Sequence, residues 1–226
     1  MVSASLMGIT LGTAVVDWLA VFKNWKRLEY LAKPGAMLAL FFWLVSYTGL
    51  EGVLAWFALG LILSLAGDVF LMLPQRFFIP GLVSFLFAHM AYVTGLNISS
   101  QVVPVFPAFL YGFILLLVGY TLFMRIREAL IDKGIRALQW PVLAYTIVIS
   151  LMVLSALLSL HRPEWQTSTA LITASGAILF FLSDTLLAWN RFVRPVRNGR
   201  LANMILYHLG QVFLIAGVAM NFVVRQ

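Results

Sequence analysis

The chain has 226 residues, 62% of them hydrophobic and only 10% charged, with a mean hydropathy of +0.99. A soluble domain carries about 25% charged residues. Most helices here must therefore be apolar all round, as helices in lipid are, which excludes a water-soluble enzyme or a soluble nucleic-acid-binding domain. The net charge of +7 does not point to nucleic acid, because the basic excess lies in short loops between apolar runs, and the absence of cysteine excludes disulfides and thiolate metal sites.

Eight apolar segments follow in chain order, each near the roughly 20 residues that a crossing needs. They are predicted at Leu6–Phe22, Gly35–Leu50, Val53–Leu73, Ile79–Asn97, Val103–Met124, Trp140–Leu160, Thr169–Trp189 and Leu201–Val224. The fold class is thus an all-α polytopic bundle of about eight spans, forming one integral membrane domain over residues 1–226. The second segment is short and the break at Gly49-Leu50-Glu51-Gly52 is soft, so a seven-span arrangement stays open. The first segment lacks a basic leader and contains Asp17, which speaks against a cleaved signal peptide.

Loop charge supports the count of eight. Loops after the odd segments hold Lys23, Lys26, Arg27, Lys33, Arg76, Arg125, Arg127, Lys133, Arg136, Arg191, Arg194, Arg197 and Arg200, leaving only Arg162 and Arg225 for the other side. The positive-inside rule then predicts both termini outside and the basic loops in the cytoplasm, an arrangement that suits a bacterial inner membrane. The two halves also echo each other. Gly67-Asp68 near the end of the third segment matches Ser183-Asp184 near the end of the seventh, each followed by apolar residues and a basic loop, a pattern compatible with two four-helix repeats.

A carboxylate inside a membrane helix costs about 2.5–3.5 kcal/mol on insertion scales, so each one is a functional candidate. Asp68 and Asp184 are expected at one depth, roughly 7 Å inside the cytoplasmic end at 1.5 Å per residue. Asp17 lies at the same end and reads more simply as a partner of Lys23 or Lys26. Gly81, Phe85, His89 and Tyr92 share one face of the fourth segment, and Asn203, Tyr207 and Gln211 form a polar stripe on the eighth. His89 reads equally as a helix–helix hydrogen bond or as a functional group, while His208 lies off the stripe and reads as interfacial. Lys33 is expected at the mouth of the second segment and Asn190 at the close of the seventh. The outer half of the bundle is expected to be nearly bare of polar groups. No paired histidine spacing suggests a metal.

The run Gly67-Asp68-Val69-Phe70-Leu71-Met72-Leu73-Pro74, with Phe78, Gly81, Phe85, Ala88-His89 and Tyr92, resembles the YhhN family of eight-span proteins. Lys33-Pro34, Ser183-Asp184 with Leu186-Leu187-Ala188, and Tyr207 with Gln211 extend the likeness from Lys33 to Gln211. The resemblance implies a lysoplasmalogenase, which splits the vinyl ether bond of a lysoplasmalogen into a fatty aldehyde and glycerophosphoethanolamine or glycerophosphocholine. It also implies that Asp68 and Asp184 match the family's intramembrane acidic positions.

Vinyl ether hydrolysis suits these residues. Protonation of the β-carbon gives an oxocarbenium ion, which water captures as a hemiacetal that collapses to aldehyde and alcohol. One carboxyl must deliver a proton while a second stabilises the cation and activates water, a division glycosidases also use. Asp68 and Asp184 are the expected acid/base pair, with His89, Tyr92, Tyr207 and Gln211 positioning water or the ether oxygen. Lys33, with Arg76, would hold the substrate phosphate. The expected partners are a lysophospholipid substrate and membrane lipid, with no nucleic acid, no metal and no organic cofactor required. The rival reading is a proton-coupled transporter of a lipid or small solute, since intramembrane aspartates and repeats occur there too.

Overall fold

The computed structural model describes residues 2–98, 100 and 103–223. Arg225, counted above on the outer side, and Val224, the predicted end of the last span, lie outside the described residues. Eight long helices run in chain order: α1 (Val2–Lys23), α2 (Lys26–Thr48), α3 (Leu54–Met72), α4 (Phe78–Asn97), α5 (Val105–Asp132), α6 (Gln139–Leu158), α7 (Thr167–Ala188) and α8 (Gly199–Val223). No strand occurs among the described residues. All eight are long and apolar enough to cross a membrane, with mean hydropathies between 1.4 and 2.3. Without water in the bilayer core, the helix is the way such a segment satisfies every backbone group within itself.

The soft break between the second and third spans is real. Gly49, Leu50 and Gly52 all take positive φ (68°, 60° and 57°), a left-handed run that ends α2 and removes the seven-span alternative.

Two boundaries differ from expectation. Helix α2 begins nine residues before the predicted Gly35, so Pro34 lies inside it and Lys33 sits at the end of its second turn rather than at its mouth. Proline deprives the Tyr30 carbonyl of its helical partner, but Tyr30 is exposed at the basic end of the bundle, where water can replace it. Helix α5 continues eight residues past the predicted Met124, so Arg125 and Arg127 are helical rather than loop residues.

The helices pair as hairpins: α1 on α2, α3 on α4 and, most extensively, α7 on α8, with α6 packed against both α4 and α5. The halves use the same plan, since α4 packs on α6 while α8 packs on α2. Small residues permit the closest approach. A methyl group at Gly176 would lie 2.2 Å from the Leu214 backbone nitrogen, and one at Gly217 would lie 2.7 Å from that of Thr173, so α7 and α8 touch backbone to backbone.

The end opposite the basic loops, expected to be nearly bare of polar groups, is not. Arg162, buried between α6 and α7, donates to the Leu96 carbonyl and to Asn97 Oδ1, each at 2.7 Å, and Asn97 donates to Ser155 Oγ at 2.8 Å. Asn221 Oδ1 accepts from Thr169 Oγ1 at 2.8 Å and from the Gln166 amide at 3.0 Å. These bonds satisfy helix-end groups that lipid could not, and they tie the outer end shut.

Substituting Gly176→Val should cost about 1–3 kcal/mol through overpacking, because backbone rather than a movable side chain stands in the way. Thermal unfolding in detergent would show the loss beside Gly12→Val, whose methyl position meets nothing within 4 Å; equal effects of the two would refute the close α7–α8 contact.

Candidate active site

Asp68 and Asp184 each stand four residues before the end of their helices, Met72 and Ala188, and so share one depth at the basic end. Each is held by two side chains from other helices. Asp68, 1% exposed, receives Lys33 Nζ of α2 at 2.9 Å on Oδ1 and the Tyr207 hydroxyl of α8 at 2.6 Å on Oδ2. The Lys33 ammonium also lies 5.6 Å from the Tyr207 ring centre. Asp184 accepts on Oδ2 a hydrogen bond from the Tyr145 hydroxyl of α6 and lies 3.2 Å from His89 Nε2 of α4. His89 Nε2 is also 2.9 Å from Tyr145 Oη. Since His89 Nδ1 is buried without a polar partner, Nε2 is the nitrogen placed to donate.

Both carboxyls, with Lys33 and Tyr207, line a cavity of about 320 Å³ formed by α2, α3, α7 and α8 with Phe85 of α4. Lys26, Glu29, Tyr30 and Arg200 stand at its mouth on the basic end, where Arg200 Nη2 lies 2.8 and 3.0 Å from the Glu29 carboxylate oxygens. Asn203 and Ser183 form part of its wall and bond to each other, Asn203 Nδ2 donating to Ser183 Oγ at 2.8 Å. On its other side Asp184 borders a second, apolar cavity. Asp184 is therefore shared between a polar chamber and an apolar one.

The other expected site residues fall at different distances from this centre. His89 is fully buried and reaches Asp184 from the core. Tyr92 donates to Gln211 Oε1 at 2.9 Å, and this buried pair lies outside the lining of the polar cavity. Lys33 is buried on Asp68 rather than free at the mouth. Asn190 accepts from the Val196 amide at 2.8 Å and shapes the turn before α8, away from the cavity. Arg76 lies over the Phe77 ring at 4.9 Å and also does not line it.

Asp17 makes no ion pair with Lys23 or Lys26. It is fully buried, and neither oxygen has a hydrogen-bond partner. Nor is His208 interfacial: at 1% exposure, its Nδ1 accepts from Trp18 Nε1 at 3.0 Å. Sequence reasoning missed Tyr145 altogether. It is an isolated tyrosine in an apolar span, and only its place in the packing order, on α6 as Lys33 is on α2, gives it meaning.

Eight membrane-crossing helices with two carboxyls on one cavity define a polytopic membrane protein with an intramembrane polar chamber. The YhhN family model matches residues 28–218, and the chain belongs to that family. Lysoplasmalogenase TMEM86B of Mus musculus is 28% identical to it, covering 90% of this chain and 80% of its own length. The Homo sapiens protein of the same name is 30% identical over 84% of this chain and 74% of its own. A lysoplasmalogenase homolog of Dictyostelium discoideum is 32% identical over 70% of this chain and 61% of its own. No solved structure matches the chain.

Removing one member of a buried ion pair costs about 3–5 kcal/mol, because a lone charge stays inside. Lys33→Met should therefore destabilise the protein more than Lys33→Met combined with Asp68→Asn does. A double-mutant cycle read by unfolding in detergent checks this; additive losses would mean that the pair is not a buried unit.

Proposed function

We propose that this chain is a lysoplasmalogenase that hydrolyses the vinyl ether of a lysoplasmalogen to a fatty aldehyde and glycerophosphoethanolamine or glycerophosphocholine. The observation that carries this reading is the unequal pair of carboxyls on one cavity. Asp68 is clamped by a lysine and a tyrosine, whereas Asp184 faces both the polar chamber and the apolar one. The names of the curated relatives support the same reaction.

In this reading Asp184 delivers the proton to the β-carbon of the vinyl ether. Tyr145 and His89 fix the orientation of its carboxyl, which regains its proton from the water that adds to the cation. The oxocarbenium ion forms within reach of Asp68, whose negative charge stabilises it and whose free lone pairs orient the attacking water. Lys33 and Tyr207 prevent Asp68 from swinging away and collapsing onto the cation as an adduct. Water adds to the carbon that bore the ether oxygen, and the hemiacetal then expels the glycerol hydroxyl. Each proton-transfer role is worth about 10²–10⁴-fold in rate. Tyr92 and Gln211 brace the core beneath His89 rather than touch substrate.

The mouth of the polar cavity suits a zwitterionic headgroup. Lys26 makes no ion pair among the described residues and shares the mouth with the Arg200–Glu29 pair, so the phosphate can take Lys26 and draw Arg200 from Glu29, whose carboxylate then faces the ammonium. By the positive-inside rule the basic loops favour a cytoplasmic mouth with both termini outside, an arrangement that suits a bacterial inner membrane. A carrier would need the polar path to continue outward, where the Arg162 network instead ties the helices together.

The test is aldehyde release from lysoplasmenylethanolamine and lysoplasmenylcholine by the purified protein. Asp68→Asn and Asp184→Asn should each lower kcat by about 10²-fold or more while remaining folded. In heavy water the aldehyde should carry one deuterium on the carbon beside its carbonyl. A folded wild-type protein that releases no aldehyde from either substrate would overturn the assignment.

A further inference from the structure

The apolar cavity beside Asp184 has about 70 Å³ of space and lies between α4, α5, α6 and α7. Its walls are mainly Leu82, Leu122, Ile126, Val142, Ile149 and Phe181; Asp184 is the one carboxyl in the lining, and Tyr145 and Arg191 also reach it. Phe85, Leu71 and Leu187 belong to its wall and to that of the polar chamber alike, so these three side chains and Asp184 form the partition between the two spaces. Asp184 keeps Tyr145 and His89 as polar partners while it also borders this largely apolar space. An occupant that fits both is apolar along its length with a polar or reactive group at the Asp184 end.

The way in is also visible. Helices α4 and α5 are consecutive, yet they make little direct contact with each other, while both lean on α6. Helix α5 is the most peripheral of the eight, with 6% of its apolar window buried against 28–61% for the others. The α4–α5 seam is therefore the slot's thinnest wall toward lipid, closed by a buried cluster that includes Phe78 of α4 and Ile126 of α5. The slot holds only the start of a long chain, and the rest must lie outside it along that seam.

We propose that this slot seats the first carbons of the substrate's alkenyl chain. The chain enters between α4 and α5, the vinyl ether crosses the junction at Asp184, and the glycerol and phosphate lie in the polar chamber. This placement rests on the lysoplasmalogenase reading for the identity of the chain, but the slot makes its own demand: a single unbranched apolar chain bearing a polar group at one end. It also gives a physical reason for one-chain substrates, since a second acyl chain on the neighbouring glycerol carbon would have to lie among Glu29, Lys33 and Arg200 in the polar chamber.

Two measurements on the full-length protein test the slot. Ile126→Trp and Val142→Phe narrow it without altering any residue placed at the carboxyls. Each should lower kcat/KM for a sixteen-carbon lysoplasmenylethanolamine by about 10-fold or more. A four-carbon alkenyl analogue, whose chain fills the slot, should lose as much in these variants, whereas Ile9→Trp on the exposed face of α1, away from the slot, should leave both substrates within about threefold of wild type. No loss on either substrate in the slot variants, or an equal loss in Ile9→Trp, would overturn the slot as the chain's seat.

The second measurement needs no turnover. An alkyl lysophosphatidylethanolamine with a diazirine near the ether end of its chain should label residues 78–85 of α4, 122–126 of α5 and 142–149 of α6. Labelling confined to α1, α2 or α8 would overturn the proposal. Slot labelling by a protein that releases no aldehyde would uphold the chain site and sink only the hydrolase reading.

Discussion

Two carboxyls held inside an apolar bundle set the terms for the rest of this structure. A charge in lipid is tolerated only where partners replace the water it has lost. A helix cannot supply those partners from its own sequence neighbours when the neighbours are apolar. Asp68 therefore draws Lys33 and Tyr207 from α2 and α8, and Asp184 draws Tyr145 and His89 from α6 and α4. Four helices are thus tied to α3 and α7 by polar contacts as well as by packing. The close α7–α8 approach at Gly176 and Gly217 brings Tyr207 to the depth at which Asp68 needs it.

The two clamps are built on one plan and filled differently. In each half an aspartate near the end of one helix receives one donor from the preceding helix and one from the last helix of a half: Lys33 and Tyr207 in the first case, Tyr145 and His89 in the second. The common plan puts the carboxyls at equal depth. The different occupants make them chemically distinct, because a lysine fixes a compensating positive charge at Asp68 whereas Asp184 has a tyrosine and a histidine. Acid–base chemistry on two carboxyls depends on such an asymmetry, since two identical environments would leave neither group committed to a role.

The same economy of polar groups makes the bundle one-sided. At the basic end, side chains line a chamber and leave it open. At the outer end, Arg162 and Asn221 spend their donors and acceptors on helix-end backbone and on neighbouring side chains. Polar residues at the two ends thus do opposite work. The outer set removes unsatisfied backbone groups, while the inner set keeps part of its bonding capacity facing a cavity.

Much of this is legible in the amino-acid sequence. Apolar runs of crossing length, separated by alternating basic loops, determine eight helices and their common polarity, because lipid demands internal hydrogen bonding over about 20 residues at a time. The helical period of 3.6 places Tyr207 and Gln211 on one face, and the matching positions of Asp68 and Asp184 near their helix ends put them at one depth. The tertiary structure alone decided which groups meet. The second segment is expected to begin at Gly35, yet α2 runs through Pro34 from Lys26, and so Lys33 is a buried counter-charge rather than a gatepost. Asn190 and Arg76 lie near the site in sequence but outside its lining, and His208 and Asp17 are buried where their positions suggested an interface. Tyr145 carried no signal of its own. The reason is common to all of these: periodicity along a chain fixes which face of a helix a residue occupies, whereas the neighbour that the face meets is chosen by how closely separate helices can approach.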